Sequence, residues 1–161
     1  GSGEIAIFVG GGNTFRLLAT LQRLALARVI RRYVGEGAPY IGASAGVNVA
    51  CPTIMTTNDM PIVKPETFDA LKIVTYQINP HYVDPDPSSP HMGETRGARI
   101  KEFHEENDAP VVGLREGSWI VFENGISTLG GPNKARLFLK DKEPTEISDG
   151  LTIEGAMIRA L

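Results

Sequence analysis

The sharpest chemical signal in the sequence is a serine flanked by glycines. Residues 42–46 read Gly-Ala-Ser-Ala-Gly, with Ser44 at the centre of a Gly-x-Ser-x-Gly pattern. A short apolar strand is predicted over residues 39–42, and a helix of small residues over 44–50. A serine in this context stands on a tight strand-to-helix turn with its hydroxyl exposed, where larger neighbours would clash. The pattern favours a nucleophile for acyl transfer over a glycine-rich turn whose serine has no role.

A serine nucleophile needs a base, and the chain offers three histidines. His104 lies in a predicted helix beside two glutamates, so we expect it on a solvated surface. His91 belongs to a proline-rich loop. His81 follows a strand predicted over residues 73–78, at its carboxyl end, where ligands of open α/β sheets gather. Ser44 meets the same condition, so His81 is the preferred base, and a loop histidine bonded to backbone is the alternative.

The base needs a carboxylate to orient it, and two candidates stand out. Glu116 follows a strand predicted over residues 111–114, at the expected rim of the sheet. Asp59 lies in the loop after the nucleophile helix. A surface acid without a catalytic part is the alternative for both, and the strand end places Glu116 first.

Backbone N–H groups must also stabilise the oxyanion that forms in acyl transfer. The natural donors are Ala45, directly after the nucleophile, and Gly11 or Gly12 in a triple-glycine turn that follows a strand predicted over residues 4–9. The rival interpretation of that turn is a dinucleotide loop. Phe15 stands where the third glycine of Gly-x-Gly-x-x-Gly belongs, so nucleotide binding is disfavoured.

Composition sets limits on the function. The chain has 161 residues, 42% of them hydrophobic, and a formal net charge of -3, which predicts one soluble domain without a nucleic-acid footprint. Cys51 is the only cysteine, which excludes a disulfide within the chain and a cysteine-based zinc site. No apolar run is long enough to span a membrane. The single cysteine fits a reducing compartment, and we expect no metal and no organic cofactor.

The order of predicted elements indicates an α/β fold. Strands and helices alternate through residue 50, with a break expected in the long helix near Ala25, which is typical of a parallel sheet. A helix is predicted over residues 95–107. Three later segments are predicted to form an antiparallel meander, at 119–122, 127–129 and 135–139, with Asn124-Gly125 as a hairpin turn. We expect a three-layer, mostly parallel sheet in one catalytic domain over residues 1–161, within which Gly-Ser-Gly at residues 1–3 resembles a cloning remnant.

Six motifs occur here in the order found in one enzyme family. They are Ile-Phe-Val-Gly-Gly-Gly-Asn-Thr-Phe at 7–15, Gly-Ala-Ser-Ala-Gly at 42–46, Thr-Thr-Asn-Asp-Met-Pro-Ile-Val at 56–63, Gln-Ile-Asn-Pro-His at 77–81, Gly-Glu-Thr-Arg at 93–96 and Gly-Gly-Pro-Asn at 130–133. On these motifs, which run from about residue 4 to 138, the chain resembles the peptidase E family of serine peptidases. The resemblance implies a cytoplasmic enzyme with a fold similar to class I glutamine amidotransferases. It also implies hydrolysis of dipeptides with an N-terminal aspartate.

The resemblance also implies roles for single residues. Carried over position by position, it makes Ser44 the nucleophile, His81 the base and Glu116 the third member of the triad. Asp59 falls on a family acid that has also been assigned to the charge relay, and we keep it for a site role such as holding the substrate amine. Arg96 matches the arginine that binds the aspartyl side chain. A guanidinium offers a planar, bidentate grip on a carboxylate.

Other features leave alternatives open. Asn13, in the triple-glycine motif, is expected to contact substrate. The strands and helices that precede this motif in the family are missing, so an exposed sheet edge would invite a second copy or a complementing chain. A cyanophycinase-like peptidase for β-linked aspartyl chains and a truncated, non-catalytic binding protein remain as alternative functions. A glutamine amidotransferase is disfavoured, because its nucleophile is cysteine and Cys51 lies outside the turn.

Overall fold

The computed structural model describes residues 6–85 and 93–160, and the chain divides into two compact units, residues 1–77 and 78–161. The expected α/β class is confirmed, because both units contain helices and strands. The described pairings are mixed rather than mostly parallel: the pair in the first unit is parallel, and three registered pairs in the second are antiparallel.

The first unit contains a parallel pair of short strands and three helices. Its elements are β1 (Ile7–Val9), α1 (Thr14–Arg23), α2 (Leu26–Gly35), β2 (Tyr40–Gly42) and α3 (Ala45–Ala50). β1 and β2 are parallel, with Phe8 opposite Ile41. The break expected near Ala25 is confirmed, since Ala25 adopts a left-handed conformation (φ 53°) between α1 and α2. Asn13 caps α1, its side chain accepting a hydrogen bond from the Arg16 N–H.

An apolar core fixes the helices of this unit. Its buried members are Leu18, Leu21, Val49, Ile54, Ala70 and Leu71. Burying each leucine contributes about 2 kcal/mol. The loop after α3 also binds the last carbonyls of that helix, with the Leu71 N–H donating to Val49 at 2.8 Å and the Ile73 N–H donating to Ala50 at 2.9 Å. These bonds satisfy groups that a helix end leaves without an intrahelical partner.

Over the residues that the structure describes, the second unit has six strands and two helices. Its elements are β3 (Gln77–Pro80), α4 (Arg96–Glu106), β4 (Val111–Leu114), β5 (Trp119–Glu123), β6 (Ile126–Gly130), β7 (Ala135–Phe138), β8 (Thr145–Ile147) and α5 (Ile153–Ala160). One sheet has the order β3-β4-β7-β8, and β5 pairs with β6 in a separate hairpin. The hairpin turn at Asn124-Gly125 is confirmed, with positive φ at both residues.

Two sequence predictions for this unit were wrong in part. The third strand of the expected meander pairs with β4 and β8 instead of β6, because the intervening glycine turn carries the chain to the other sheet. The strand expected at 73–78 covers Gln77–Pro80, since the preceding residues bond the end of α3. β8 and α5 were not predicted.

His104 is buried rather than solvated, which corrects the expected surface position. It is 7% exposed, and its Nε2 lies 3.1 Å from the Ala109 carbonyl oxygen. Ile100, Phe103 and His104 recur at helical spacing, so they share the inner face of α4 despite the two glutamates that follow. Hydrogen bonding and packing occupy His104, which leaves it a structural role.

Among the residues that the structure describes, no helix has the length and apolarity to cross a membrane. His91 and most of the proline-rich loop fall within residues 86–92, outside the described part of the chain.

The backbone of α3 approaches β1 closely at Gly46. A Cβ built on Gly46 would lie 1.9 Å from the carbonyl oxygen of Val9, and one on Gly42 would lie 2.7 Å from the carbonyl oxygen of Gly46. Both distances are far inside van der Waals contact, and the obstructing atoms are backbone. Only glycine therefore lets α3 start this close to the strands.

We predict that Gly46→Ala destabilises the chain although alanine is the better helix former. Helix propensity alone would add about 1 kcal/mol of stability, but the clash with the Val9 carbonyl should cost more than about 3 kcal/mol. The measurement is urea unfolding followed by far-UV circular dichroism.

The matched control is Gly35→Ala. Gly35 is the last residue of α2, and nothing lies within 4 Å of the position of its added Cβ. This variant should be as stable as the parent or slightly more stable. Equal unfolding midpoints for the two variants would contradict the claim that Gly46 is required by space.

Candidate active site

Ser44 stands on the sharp turn between β2 and α3. Its backbone has φ 55° and ψ -111°, a conformation that residues other than glycine rarely adopt. The carbonyl of Ser44 accepts hydrogen bonds from the Val47 N–H at 2.9 Å and the Asn48 N–H at 3.2 Å, so helical bonding begins at once. A serine in a strained backbone conformation between a strand and a helix is the arrangement known as a nucleophile elbow.

The residues behind the elbow hold it in place. The Ala43 N–H donates to the Val9 carbonyl at 3.0 Å, and the Tyr40 hydroxyl donates to the Gly46 carbonyl at 2.7 Å. Burial, and secondarily Cys51, raises the pKa of Tyr40. The phenol is therefore protonated across the physiological range and stays a donor to the first turn of α3.

The triple-glycine turn runs beside Ser44 in the same unit. A Cβ built on Gly11 would lie 3.5 Å from the Ser44 Cβ and 3.8 Å from its Oγ, so the Gly11 backbone is a neighbour of the serine side chain. Gly12 has φ +131°, a value that favours glycine. Ala45, the other expected oxyanion donor, is buried at the start of α3. The structure thus brings Gly11 together with Ser44.

Asp59 binds the beginning of α1. Its Oδ2 accepts hydrogen bonds from the Thr14 N–H at 2.7 Å and from the Thr14 hydroxyl at 2.6 Å. A carboxylate at this point also stabilises the positive end of the helix dipole. Close by, the Asn13 side chain donates to the Met60 carbonyl at 2.9 Å. Asp59 and Asn13 therefore tie the loop at residues 57–60 to the helix that follows the triple-glycine turn.

In the second unit, His81 and Glu116 form a pair. The Nδ1 atom of His81 contacts the Oε1 atom of Glu116, with the two side chains 50% and 75% exposed. His81 follows β3 and has a positive φ of 55°. Glu116 follows β4, whose last residue, Leu114, accepts a hydrogen bond from the Tyr82 N–H at 3.0 Å. A carboxylate on Nδ1 fixes the tautomer in which Nε2 can accept a proton.

The loop that carries Glu116 is held by residues that the sequence analysis did not single out. The Asn133 side chain donates to the Glu116 carbonyl at 2.7 Å, and the Ser118 hydroxyl donates to the Asn133 carbonyl at 2.7 Å. A Cβ on Gly131 would lie 2.7 Å from the Gly117 carbonyl oxygen. Gly131 and Asn133 belong to the Gly-Gly-Pro-Asn motif that the sequence analysis noted. The motif alone does not reveal their role, which depends on contacts with residues distant in sequence.

Arg96 is the first residue of α4 and is partly buried. The helix begins with Thr95 as its N-cap, the hydroxyl accepting from the Ala98 N–H at 3.1 Å. On the same helix Arg99 is paired with Glu94, with 2.7 Å between Nε and Oε2. A guanidinium at the Arg96 position can bind a carboxylate in a bidentate manner.

The second unit and the first therefore each contain part of the predicted set. Ser44 and the glycine turn are neighbours in the first unit, where Asp59 binds Thr14, and His81 is paired with Glu116 in the second. Over residues 6–85 and 93–160, no group of three or more His, Cys, Asp or Glu side chains is arranged to hold a metal ion.

Comparison with known proteins adds the family. Residues 4–129 match the model of peptidase family S51. Peptidase E of Streptomyces coelicolor is 56% identical over 145 residues, which are 90% of this chain and 60% of that protein. A Drosophila melanogaster protein named "Probable alpha-aspartyl dipeptidase" is 48% identical over 144 residues, 89% of this chain and 60% of that protein.

A solved structure agrees at the level of the fold. The crystal structure of a peptidase from an acI-B1 Actinobacterium has a TM-score of 0.67 and 18% sequence identity, over 92% of this chain and 58% of that one. The chain spans about 60% of the length of the curated relatives it matches. The resemblance seen in the motifs is confirmed, and the chain belongs to peptidase family S51.

Proposed function

We propose that this chain carries the catalytic residues of a serine peptidase that hydrolyses Asp-Xaa dipeptides through an acyl-enzyme. The observation that carries the proposal is the strained Ser44 on its elbow, beside the backbone of the triple-glycine turn. Membership of the family supports the reaction class. The names of the relatives, peptidase E and alpha-aspartyl dipeptidase, support an N-terminal aspartate as the substrate feature.

The proposed reaction uses Ser44, His81 and Glu116. His81 Nε2 takes the proton of the Ser44 hydroxyl as the oxygen attacks the peptide carbonyl carbon. Glu116 stabilises the imidazolium through Nδ1 and does not itself take the proton. The imidazolium then protonates the leaving amine, and the C–N bond breaks to give an aspartyl ester on Ser44. Water, deprotonated by His81, attacks that ester. The imidazolium then returns the proton to Ser44 Oγ as the ester C–O bond breaks and aspartate is released.

Backbone groups are proposed to stabilise the tetrahedral intermediates. The N–H of Ala45 follows the nucleophile, and the N–H groups of Gly11 and Gly12 belong to the turn beside it. Such donors matter because they are fixed before charge develops, and loss of one costs about 3 kcal/mol of transition-state stabilisation. Gly11 is supported by its position next to the Ser44 side chain.

Charged groups are proposed to select the substrate. Arg96 binds the aspartyl side-chain carboxylate, which lets a chain of net charge -3 bind an acidic substrate. Asn13 still has a second amide hydrogen to offer after its bond to Met60. Asp59 is preferred near the substrate amine rather than on His81, since Glu116 is the acid that contacts the imidazole.

We also propose the finer features of the fold and setting. A parallel strand pair followed by an elbow and a helix supports a three-layer arrangement like that of class I glutamine amidotransferases. A cytoplasmic location and partners in the form of a second copy or a complementing chain remain predictions from the sequence.

The nucleophile can be tested with a fluorophosphonate probe, which reacts with activated serines. We predict that the folded protein is labelled and that Ser44→Ala is not. Turnover of Asp-Leu should fall by at least about 10⁴-fold in the same variant, because the residual rate rests on binding and the oxyanion donors alone.

The matched control is Ser148→Ala, which removes a hydroxyl after β8, at a residue whose backbone carbonyl accepts a hydrogen bond from the Leu151 N–H. It should keep its label. A folded wild-type protein that takes no label would support the truncated binding protein, and equal labelling of Ser44→Ala would place the nucleophile elsewhere.

Substrate choice can be tested with a panel of Xaa-Leu dipeptides and β-Asp-Leu. We predict a preference for Asp-Leu over Ala-Leu and a loss of about 100-fold in kcat/KM for Asp-Leu in Arg96→Ala, because a charged partner of the substrate is removed. Ala-Leu hydrolysis should change little.

Arg99→Ala is the control for that experiment, since it removes the same charge from the same helix at a position paired with Glu94. It should retain the Asp-Leu preference. Equal rates for Ala-Leu and Asp-Leu in the unmutated chain would remove the specificity claim, and a preference for β-Asp-Leu would favour the cyanophycinase-like alternative.

A further inference from the structure

One arginine in the second unit uses every hydrogen-bond donor it has. Arg115 donates from Nε and Nη2 to the two carboxylate oxygens of Asp84, at 2.8 and 2.9 Å. It donates from Nη1 and Nη2 to Glu146, at 2.7 and 2.9 Å. The remaining N–H of Nη1 donates to the Lys134 carbonyl at 2.6 Å. A guanidinium has five N–H groups, so none is left over.

The partners of Arg115 lie next to the residues of the proposed base. Arg115 immediately precedes Glu116, and Asp84 lies on the segment that begins with His81. Lys134 follows Asn133, whose side chain donates to the Glu116 carbonyl. The arginine therefore connects the backbone segments that carry His81 and Glu116, and its hydrogen bonds to these segments fix its own position.

The charges of this cluster reinforce one another. Arg136 adds a second cation on Asp84, with Nη1 3.1 Å from Oδ1. The hydrogen bonds that Arg115 donates are the main cause that lowers the pKa of Asp84, and hydrogen bonding to Glu146 and Asp84 raises the pKa of Arg115. The Arg115 side chain is only 19% exposed. Bidentate pairs with this degree of burial hold geometry better than single exposed contacts.

The His81–Glu116 pair needs such support because it is weak by itself. Both side chains are half or more exposed, and an ion pair or charged hydrogen bond in that setting contributes about 0–1 kcal/mol. A contribution of that size is too small to keep the Glu116 side chain in contact with the His81 imidazole throughout a reaction cycle. The geometry of the pair must then come from the backbone segments to which the two residues are attached.

We propose that the bidentate Arg115–Asp84 ion pair is the positioning device of the catalytic base: it holds the His81 and Glu116 segments in the register that lets the carboxylate orient the imidazole. The proposal rests on the proposed function, in which His81 is the base. Arg115 and Asp84 act through His81 and Glu116 and do not touch substrate. A misplacement of about 1 Å at the base is enough to cost up to about 100-fold in rate.

The variants Asp84→Asn and Arg115→Lys test the pair with little change of shape. Asp84→Asn removes the charge, and Arg115→Lys keeps the charge but loses the planar fork. We expect kcat for Asp-Leu to fall by about 10- to 100-fold in each, with KM within about two-fold of the parent. In a Glu116→Gln background, Asp84→Asn should cost almost nothing further, because its effect passes through Glu116.

A second measurement does not depend on turnover. The ring of His81, labelled with ¹³C and assigned by its loss in His81→Gln, is followed by NMR relaxation. We expect a rigid ring in the parent and a mobile ring in folded Asp84→Asn and Arg115→Lys. If Asp84→Asn does not fold, Asp84→Glu serves in its place, since a longer side chain also displaces the guanidinium.

The control is Asp108→Asn, which breaks another ion pair of the second unit, 2.8 Å from Lys140, without touching either segment. It should leave kcat and ring motion unchanged. A rigid His81 ring and unchanged kcat in Asp84→Asn would overturn the proposal, even with a lower melting temperature. A parent that hydrolyses nothing but shows the ring loosening would contradict the proposed function and leave the positioning role supported.

Discussion

The site depends on how closely the backbone of α3 approaches strand β1. The carbonyl oxygen of Val9 occupies the space in which a side chain on Gly46 would begin. To enter the helix at that distance, the chain must reverse direction within one residue, and Ser44 takes the strained conformation that this requires. This close approach explains why glycine occupies positions 42 and 46, on either side of Ala43-Ser44-Ala45. It also places the Gly11 backbone beside the serine side chain.

In the second unit, His81 and Glu116 must be held in a fixed geometry. An imidazole and a carboxylate that face solvent attract each other weakly, so their geometry is set by the segments that carry them. Asn133 holds the Glu116 loop through its carbonyl. Arg115 holds the neighbouring segments through five hydrogen bonds. The placement of His81, the proposed base, and of Glu116 therefore depends on strands and turns that lie far apart in the chain.

The sequence was most informative where a short pattern has only one backbone solution. The elbow and the Asn124-Gly125 turn follow from glycine placement. The break near Ala25 was expected because the apolar stripe of the long helix drifts there, and all three were predicted. The Glu116 partner of His81 was expected from strand ends, and the structure shows the two in contact.

The sequence analysis failed where the structure depends on contacts between residues that are distant in sequence. The third strand of the expected meander joins another sheet, because strand pairing is decided by partners distant in sequence. His104 was placed on the surface by its neighbours, whereas the helical face it shares with Ile100 buries it. The Thr14 contact of Asp59 and the role of Asn133 likewise depend on residues 45 and 17 positions away.

The central claim is that the hydroxyl raised on the elbow becomes acylated. Rapid mixing with Asp-Leu, acid quench and mass spectrometry of the digested protein would test it directly. The account predicts a transient aspartyl ester on the peptide that contains Ser44, decaying as free aspartate accumulates. Hydrolysis of Asp-Leu that proceeds at full rate with no ester at any time, or with the ester on another residue, would contradict it.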